Sequence, residues 1–186
     1  MPPIDDRFAP NVRTLLALTI GVALVGATLG LFVVDFGSAT PEPVEFDETV
    51  AVGLTLEDEL RLEDEDSGVE LPRVEVFYSQ YPYVVGYYGV ESFVSERRQP
   101  AHEQRFGYPT AVYVTDYADR EVELTEGDLP TTREPPGWTE AEEAVYVVDS
   151  EASTPSGATV IPFGDRESAE AFADGHGGTV LGWGAI

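Results

Sequence analysis

The chain has no cysteine and no lysine, one methionine and two histidines among its 186 residues. Without cysteine there is no disulfide, no thiolate metal site and no thiol nucleophile. Nor is there a residue for a bacterial-type lipobox to lipidate. Without lysine, the ten basic residues are all arginine, set against 35 Asp and Glu, for a net charge of −25. A small soluble domain usually carries a net charge of about 2–8 in magnitude. A field of this sign repels phosphates and excludes nucleic acid as a partner. The hydrophobic content of 42% separates the chain from disordered acidic tails. A folded core under a carboxylate-coated surface is expected. Such a surface suits high salt, where screening shortens repulsion to about 3 Å at 1 M, so the sequence reads as halophilic. Catalytic signatures are also missing. There is no G-x-S-x-G, P-loop, H-E-x-x-H or dinucleotide fingerprint. Ser, His and Asp are present, but no spacing assembles them into a hydrolase site, and no enzyme is expected.

One long apolar run is present. Leu15–Val34 is free of charge and has the length of about 20 residues that a bilayer-crossing helix needs. Arg7 and Arg13 precede it and no arginine follows before Arg61. The positive-inside rule then puts the N-terminus in the cytoplasm and the remainder outside. A cleaved signal peptide is the alternative. The run is long for one, and Phe36–Thr40 is a poor cleavage site, so a single-pass cell-membrane anchor is favoured. The organisation expected is a cytoplasmic tail (1–14), a transmembrane anchor (15–34), a linker (35–48) and two halves (49–118 and 119–186).

Beyond the linker, period-two alternation marks strands. It runs through Val50, Val52, Leu54 and Leu56, and again through Val74, Val76 and Tyr78. The acidic run Glu57–Asp66 lacks the ligand spacing of a calcium loop and reads as a solvated hairpin tip. Tyr81-Pro82 marks a turn, Tyr83–Tyr88 a strand, Val90–Gln99 a helix entered through Gly89, and Thr110–Tyr117 a strand. Pro100–Pro109, which holds His102, and Gly127–Trp138 read as loops, with Val122 and Leu124 as a short strand between them. The last third reads as a strand (Ala144–Ser150), a turn (Ser153–Gly157), a strand (Ala158–Phe163), a helix and a final strand (Thr179–Trp183). Asp165 is placed to cap that helix and Gly175 to stop it. The order strand, strand, helix, strand occurs twice. The fold class expected is α+β, two packed ββαβ-like halves after one transmembrane helix.

Five pieces carry a family resemblance: Ala111–Tyr117, Ala144–Ser150, Val160–Phe163, Ala169–Phe172 and Gly177–Leu181. With Tyr81-Pro82, their order resembles the NosL family, from about Val69 onward. That resemblance implies two ββαβ-like halves and an extracytoplasmic, membrane-tethered accessory protein supplying copper to nitrous oxide reductase. It also implies copper held by sulfur, in a Cys-x-x-Cys-Gly-Met motif before the Tyr-Pro turn and a Met-Gly turn in the second half. Soft sulfur ligands suit Cu(I). Here Leu71, Val74 and Val76 stand at the first set of positions and Ser156 at the second. The family's sulfur site therefore does not carry over.

His102 and His176 are the remaining candidates for a metal, since imidazole is a good copper ligand. The plainer reading is a pair of exposed loop histidines. The tyrosines Tyr78, Tyr81, Tyr83, Tyr87 and Tyr88 read as core and sheet packing, with an aromatic partner-binding surface as the alternative. Asp116 and Asp149 end strands at matching places and read as caps. The function expected is a NosL-like accessory protein linked to copper handling or assembly of nitrous oxide reductase, with no certain cofactor. The alternative is a metal-free cell-surface interaction module of the same fold.

Overall fold

Arg73–Tyr78 (β2) alternates so that Val74, Val76 and Tyr78 turn to one face of a sheet and Arg73, Glu75 and Phe77 to the other. The first face is almost wholly buried: Val74 and Val76 are 0% exposed. A computed structural model describes residues 40–52, 68–125, 128–155 and 157–186. In it β2 is the centre of a five-stranded sheet. Tyr81–Tyr88 (β3) and Pro109–Asp116 (β4) flank it, both antiparallel. Val50–Val52 (β1) adds to β3 in parallel and Gly137–Glu140 (β7) to β4 in antiparallel. The strand β7 begins where the sequence suggested only loop. The prolines at 135 and 136 end just before it, so its N–H groups are free to pair.

Between β3 and β4 lie two helices, Val90–Arg97 (α1) and His102–Phe106 (α2). Gly89 enters α1 at φ +87°, a conformation side-chain-bearing residues avoid. The helix α2 corrects the loop expected over Pro100–Pro109. It has five residues and no side-chain cap hydrogen bond, so neither apolar period nor capping signal announces it.

The second sheet repeats the plan on a smaller scale. Val145–Val148 (β8) is its centre, flanked by Ile161–Phe163 (β11) and Thr179–Gly182 (β12), both antiparallel. Arg166–His176 (α3) connects β11 to β12. Asp165 caps it: its carboxylate accepts the Ser168 N–H and hydroxyl, each at 2.8 Å. The helix runs through Gly175, and the stop is Gly177, at φ +73°. Two small hairpins complete the sheets of the described residues: Glu123–Leu124 (β5) with Pro130–Thr131 (β6), and Ser153–Thr154 (β9) with Gly157–Ala158 (β10).

The strand β8 serves both halves. Tyr146 joins the core under the first sheet, with Val85, Tyr87, Phe93 and Val114. Its neighbour Val147 joins a second core, with Ile161, Phe163 and Phe172. Tyr117, just past β4, crosses into that second core. Trp183 closes the first one, stacked on Phe93 with ring centroids 6.1 Å apart. Each fully buried aromatic or aliphatic side chain of this kind contributes about 1.5–3 kcal/mol. Polar clasps join the halves: Glu91 accepts from the Thr159 hydroxyl at 3.1 Å, and the Tyr117 N–H donates to the Pro162 carbonyl.

The opposite face of the first sheet is covered by residues 41–49. Tyr113 donates to the Pro41 carbonyl at 2.6 Å, and Glu75 accepts the Val44 N–H at 3.0 Å. Phe46 packs edge-on against Tyr88 and presses on Gly86, where a Cβ would collide with Phe46 and Thr49. The Leu15–Val34 anchor and the acidic run Glu57–Asp66 lie outside the described residues. Among the described residues no helix is long and apolar enough to cross a membrane.

Candidate functional site

The three positions assigned to the first sulfur motif are aliphatic and buried. Leu71 is 3% exposed, and Val74 and Val76 are 0%. In register, Val74 lies between Tyr87 and Val114, and Val76 between Val85 and Val112. These side chains fill the core and offer no donor atom. Ser156, at the fourth position, lies outside the described residues.

His102 is not the exposed loop residue expected. It starts α2 and is 4% exposed. Its ring lies against Tyr78 and Phe106, with centroids 5.3 and 5.0 Å away. Its Nε2 is 2.9 Å from the Tyr78 hydroxyl, which is 2.9 Å from the Tyr87 hydroxyl. Its Nδ1 is buried and has no hydrogen-bond partner. Counting donors assigns the tautomer. With the proton on Nδ1, Tyr87 donates to Tyr78 and Tyr78 donates to Nε2, leaving one group unpaired. With the proton on Nε2, both Nδ1 and the Tyr87 O–H are left unpaired. Each buried unpaired group costs about 1–3 kcal/mol, so the Nδ1–H form is favoured. Burial holds the His102 pKa below its ordinary value; Glu96 opposes this, and Arg105 and Arg97 reinforce it. Burial likewise pushes the Tyr78 phenol far up and raises that of Tyr87.

His176 ends α3 in the other half, half-buried, with its ring 4.7 Å from that of Phe172. It borders an open groove of about 280 Å³, floored by Phe163 and Phe172 and rimmed by Asp119, Arg120 and Glu121. The two imidazoles thus pack against different cores. Among the described residues no group of three or more His, Cys, Asp or Glu side chains is arranged to hold a metal ion.

Among the described residues, a buried and a half-buried carboxylate, Glu75 and Glu91, also stand out. Glu75 is 0% exposed, and its Oε1 has no partner. Burial raises its pKa; the Val44 N–H and Arg73 oppose the rise, and Glu45 adds to it. Glu91 is raised by burial too, against the N–H groups and hydroxyl it accepts from. Asp116 is a cap, accepting the Ala118 N–H. The strand period places Tyr78 and Tyr87 in the core with Val74 and Val85. Nothing in the sequence placed His102 beside them, because α2 comes from a different part of the chain.

The comparisons with known proteins bear on this geometry. The family model described as NosL matches residues 69–186, more than half of the chain. The chain belongs to the NosL family. Its structure is similar to that of the copper chaperone NosL from Shewanella denitrificans, at 19% identity and a TM-score of 0.49, covering 64% of this chain and 81% of that one. It is also similar to the solution structure of apo-NosL from Achromobacter cycloclastes, at 22% identity and a TM-score of 0.42, covering 61% and 83%. No curated protein matched. This NosL-family chain has no sulfur at the positions where the family's copper ligands are expected, and its one sulfur atom is that of Met1. The residues present do not fit a soft Cu(I) site.

Proposed function

We propose that this chain is a membrane-anchored, extracytoplasmic accessory protein for copper handling or assembly of nitrous oxide reductase, and that it works by docking instead of carrying copper on its own sulfur atoms. One observation carries the reading. The NosL family match spans residues 69–186, while Leu71, Val74 and Val76 have turned the expected ligand positions into packed core. Retention of the fold without sulfur at those positions supports a docking role. The run Leu15–Val34 would hold the protein at the membrane, with residues 35–186 outside.

The deciding experiment titrates the full chain with Cu(I) and with Cu(II), in high salt, against a competing chelator. The expected result is no binding tighter than the competitor. Tight 1:1 binding lost in His102→Ala or His176→Ala would establish a carrier and overturn the docking role. In a deletion strain, nitrous oxide reductase is expected to accumulate with less copper. An unchanged copper content would sink the link to that enzyme. Recovery of the protein in the membrane fraction only with residues 15–34 present tests the anchor.

A further inference from the structure

We propose that Tyr78 is a redox-active tyrosine, with His102 as the base that takes its proton and Tyr87 as the donor that holds its oxygen. Losing an electron makes a phenol strongly acidic, so a tyrosine is oxidised at accessible potentials only where a base stands ready for the proton. Tyr78 has that base: His102 Nε2 is 2.9 Å from its oxygen, and the favoured tautomer leaves Nε2 free to accept. The Tyr87 hydroxyl, 2.9 Å away on the other side, donates to the same oxygen before and after the step.

The step balances within the site. One electron leaves Tyr78, its O–H bond breaks, and an N–H bond forms at His102 Nε2. A neutral phenoxyl radical then faces an imidazolium, and return of an electron sends the proton back. Burial opposes the imidazolium first; of the charged groups around the ring, Glu96 favours it, and Arg105 and Arg97 oppose it. The oxidant is an oxygen-derived radical arriving at the surface. Tyr83, 63% exposed, meets it first and loses an electron to it and a proton to water. The Tyr83 ring is 5.7 Å from that of Tyr81, which is the cross-strand partner of Tyr78. An electron from Tyr78 refills Tyr83 along this route, and water returns the proton.

Sulfur usually absorbs such oxidation, in cysteine and methionine side chains. This chain has no cysteine, and its single methionine is residue 1. A buried tyrosine with its own base gives the oxidising equivalent a place to rest, where the ring cannot couple with another molecule.

The test uses the full chain and flash-generated tris(bipyridine)ruthenium(III) as oxidant, with detection by electron paramagnetic resonance and visible absorption. A long-lived tyrosyl radical is expected in the parent protein, with two strong exchangeable proton couplings. Tyr78→Phe should abolish it, Tyr83→Phe should slow its formation, and Tyr87→Phe should remove one coupling. Both Phe variants at 78 and 87 keep the ring packing, and circular dichroism checks their folding. His102→Gln, which can hydrogen-bond but not take the proton, should slow formation and remove its solvent isotope effect. The proposal is overturned if the signal survives Tyr78→Phe, whether or not replacing Tyr83 and Tyr108 by Phe then removes it. It is equally overturned if the parent radical shows no exchangeable coupling.

Discussion

The Asp116 Oδ1 accepts the backbone N–H of Gly164 at 2.6 Å, joining the end of β4 to the turn before α3 across 48 residues of sequence. The same atom accepts the Ala118 N–H at 2.8 Å. A Cβ on Gly164 would collide with the Asp116 carboxylate, so the glycine is needed for this approach. Asp116→Ala is expected to lower the unfolding free energy by about 1.5–3 kcal/mol, the range for hydrogen bonds to a charged group. Gly164→Ala should cost less in the Asp116→Ala background than in the parent, because the collision is gone. Urea denaturation of the double-mutant cycle measures this. Simple additivity would show that the two residues act separately.

Buried titratable groups give stability two opposed trends with pH. The raised pKa of Glu75 and Glu91 means that their contribution is full below the unfolded value, 4.5, and is lost as pH rises through the folded values. The lowered pKa of His102 works the other way: its contribution is present above 6.5 and is lost as pH falls through the folded value. Glu75→Gln keeps an acceptor for the Val44 N–H and removes the buried charge. It should raise stability near neutral pH and flatten the decline above 4.5. Thermal unfolding across mildly acidic to neutral pH reads both effects; a Glu75→Gln profile parallel to the parent would refute the assignment.

Salt should stabilise the fold strongly. The net charge of −25 makes the compact state repel itself, and raising salt from about 0.1 to 1 M cuts the screening length from about 10 to 3 Å. The unfolding temperature is expected to climb over that interval and then level off. Calorimetry in sodium chloride checks it, and a flat response would contradict the self-repulsion argument.

Trp183 stacks on Phe93, lies over Tyr146 and receives the Arg97 guanidinium 5.7 Å from its ring. Trp183→Ala is expected to cost about 2–4 kcal/mol, near the lower part of the range for aromatic truncation, because the ring is half-buried. Trp183→Phe should recover most of the loss. Equal destabilisation by both substitutions, read from denaturant midpoints, would show that stacking there is not what matters.

Strands and helix ends governed by one side chain's own period or cap were legible from the sequence. The alternation of β2 placed Val74, Val76 and Tyr78, and Asp165 announced α3. Elsewhere the outcome depended on partners distant in the chain. The strand β7 exists because β4 offers it an edge, and α2 because its His102 and Phe106 pack onto Tyr78 and Tyr81. Gly175 and Gly177 are equally good stops locally, and the turn into β12 selects the second. The family resemblance over Ala111–Tyr117 and Ala144–Leu181 predicted membership correctly. The residues Leu71, Val74 and Val76, aligned with the expected sulfur positions, proved to be buried core. The His102 environment was illegible, because burial of a histidine leaves no mark in its own neighbourhood.

The strand β8 sends Tyr146 to one core and Val147 to the other. A newly made chain therefore cannot finish its first half when β4 has been synthesised. Phe93 and Val114 must wait with one side open until β8 and Trp183 arrive. The two halves share an order of elements, but they have no separate folding histories, and a break between them would leave two sticky, incomplete fragments.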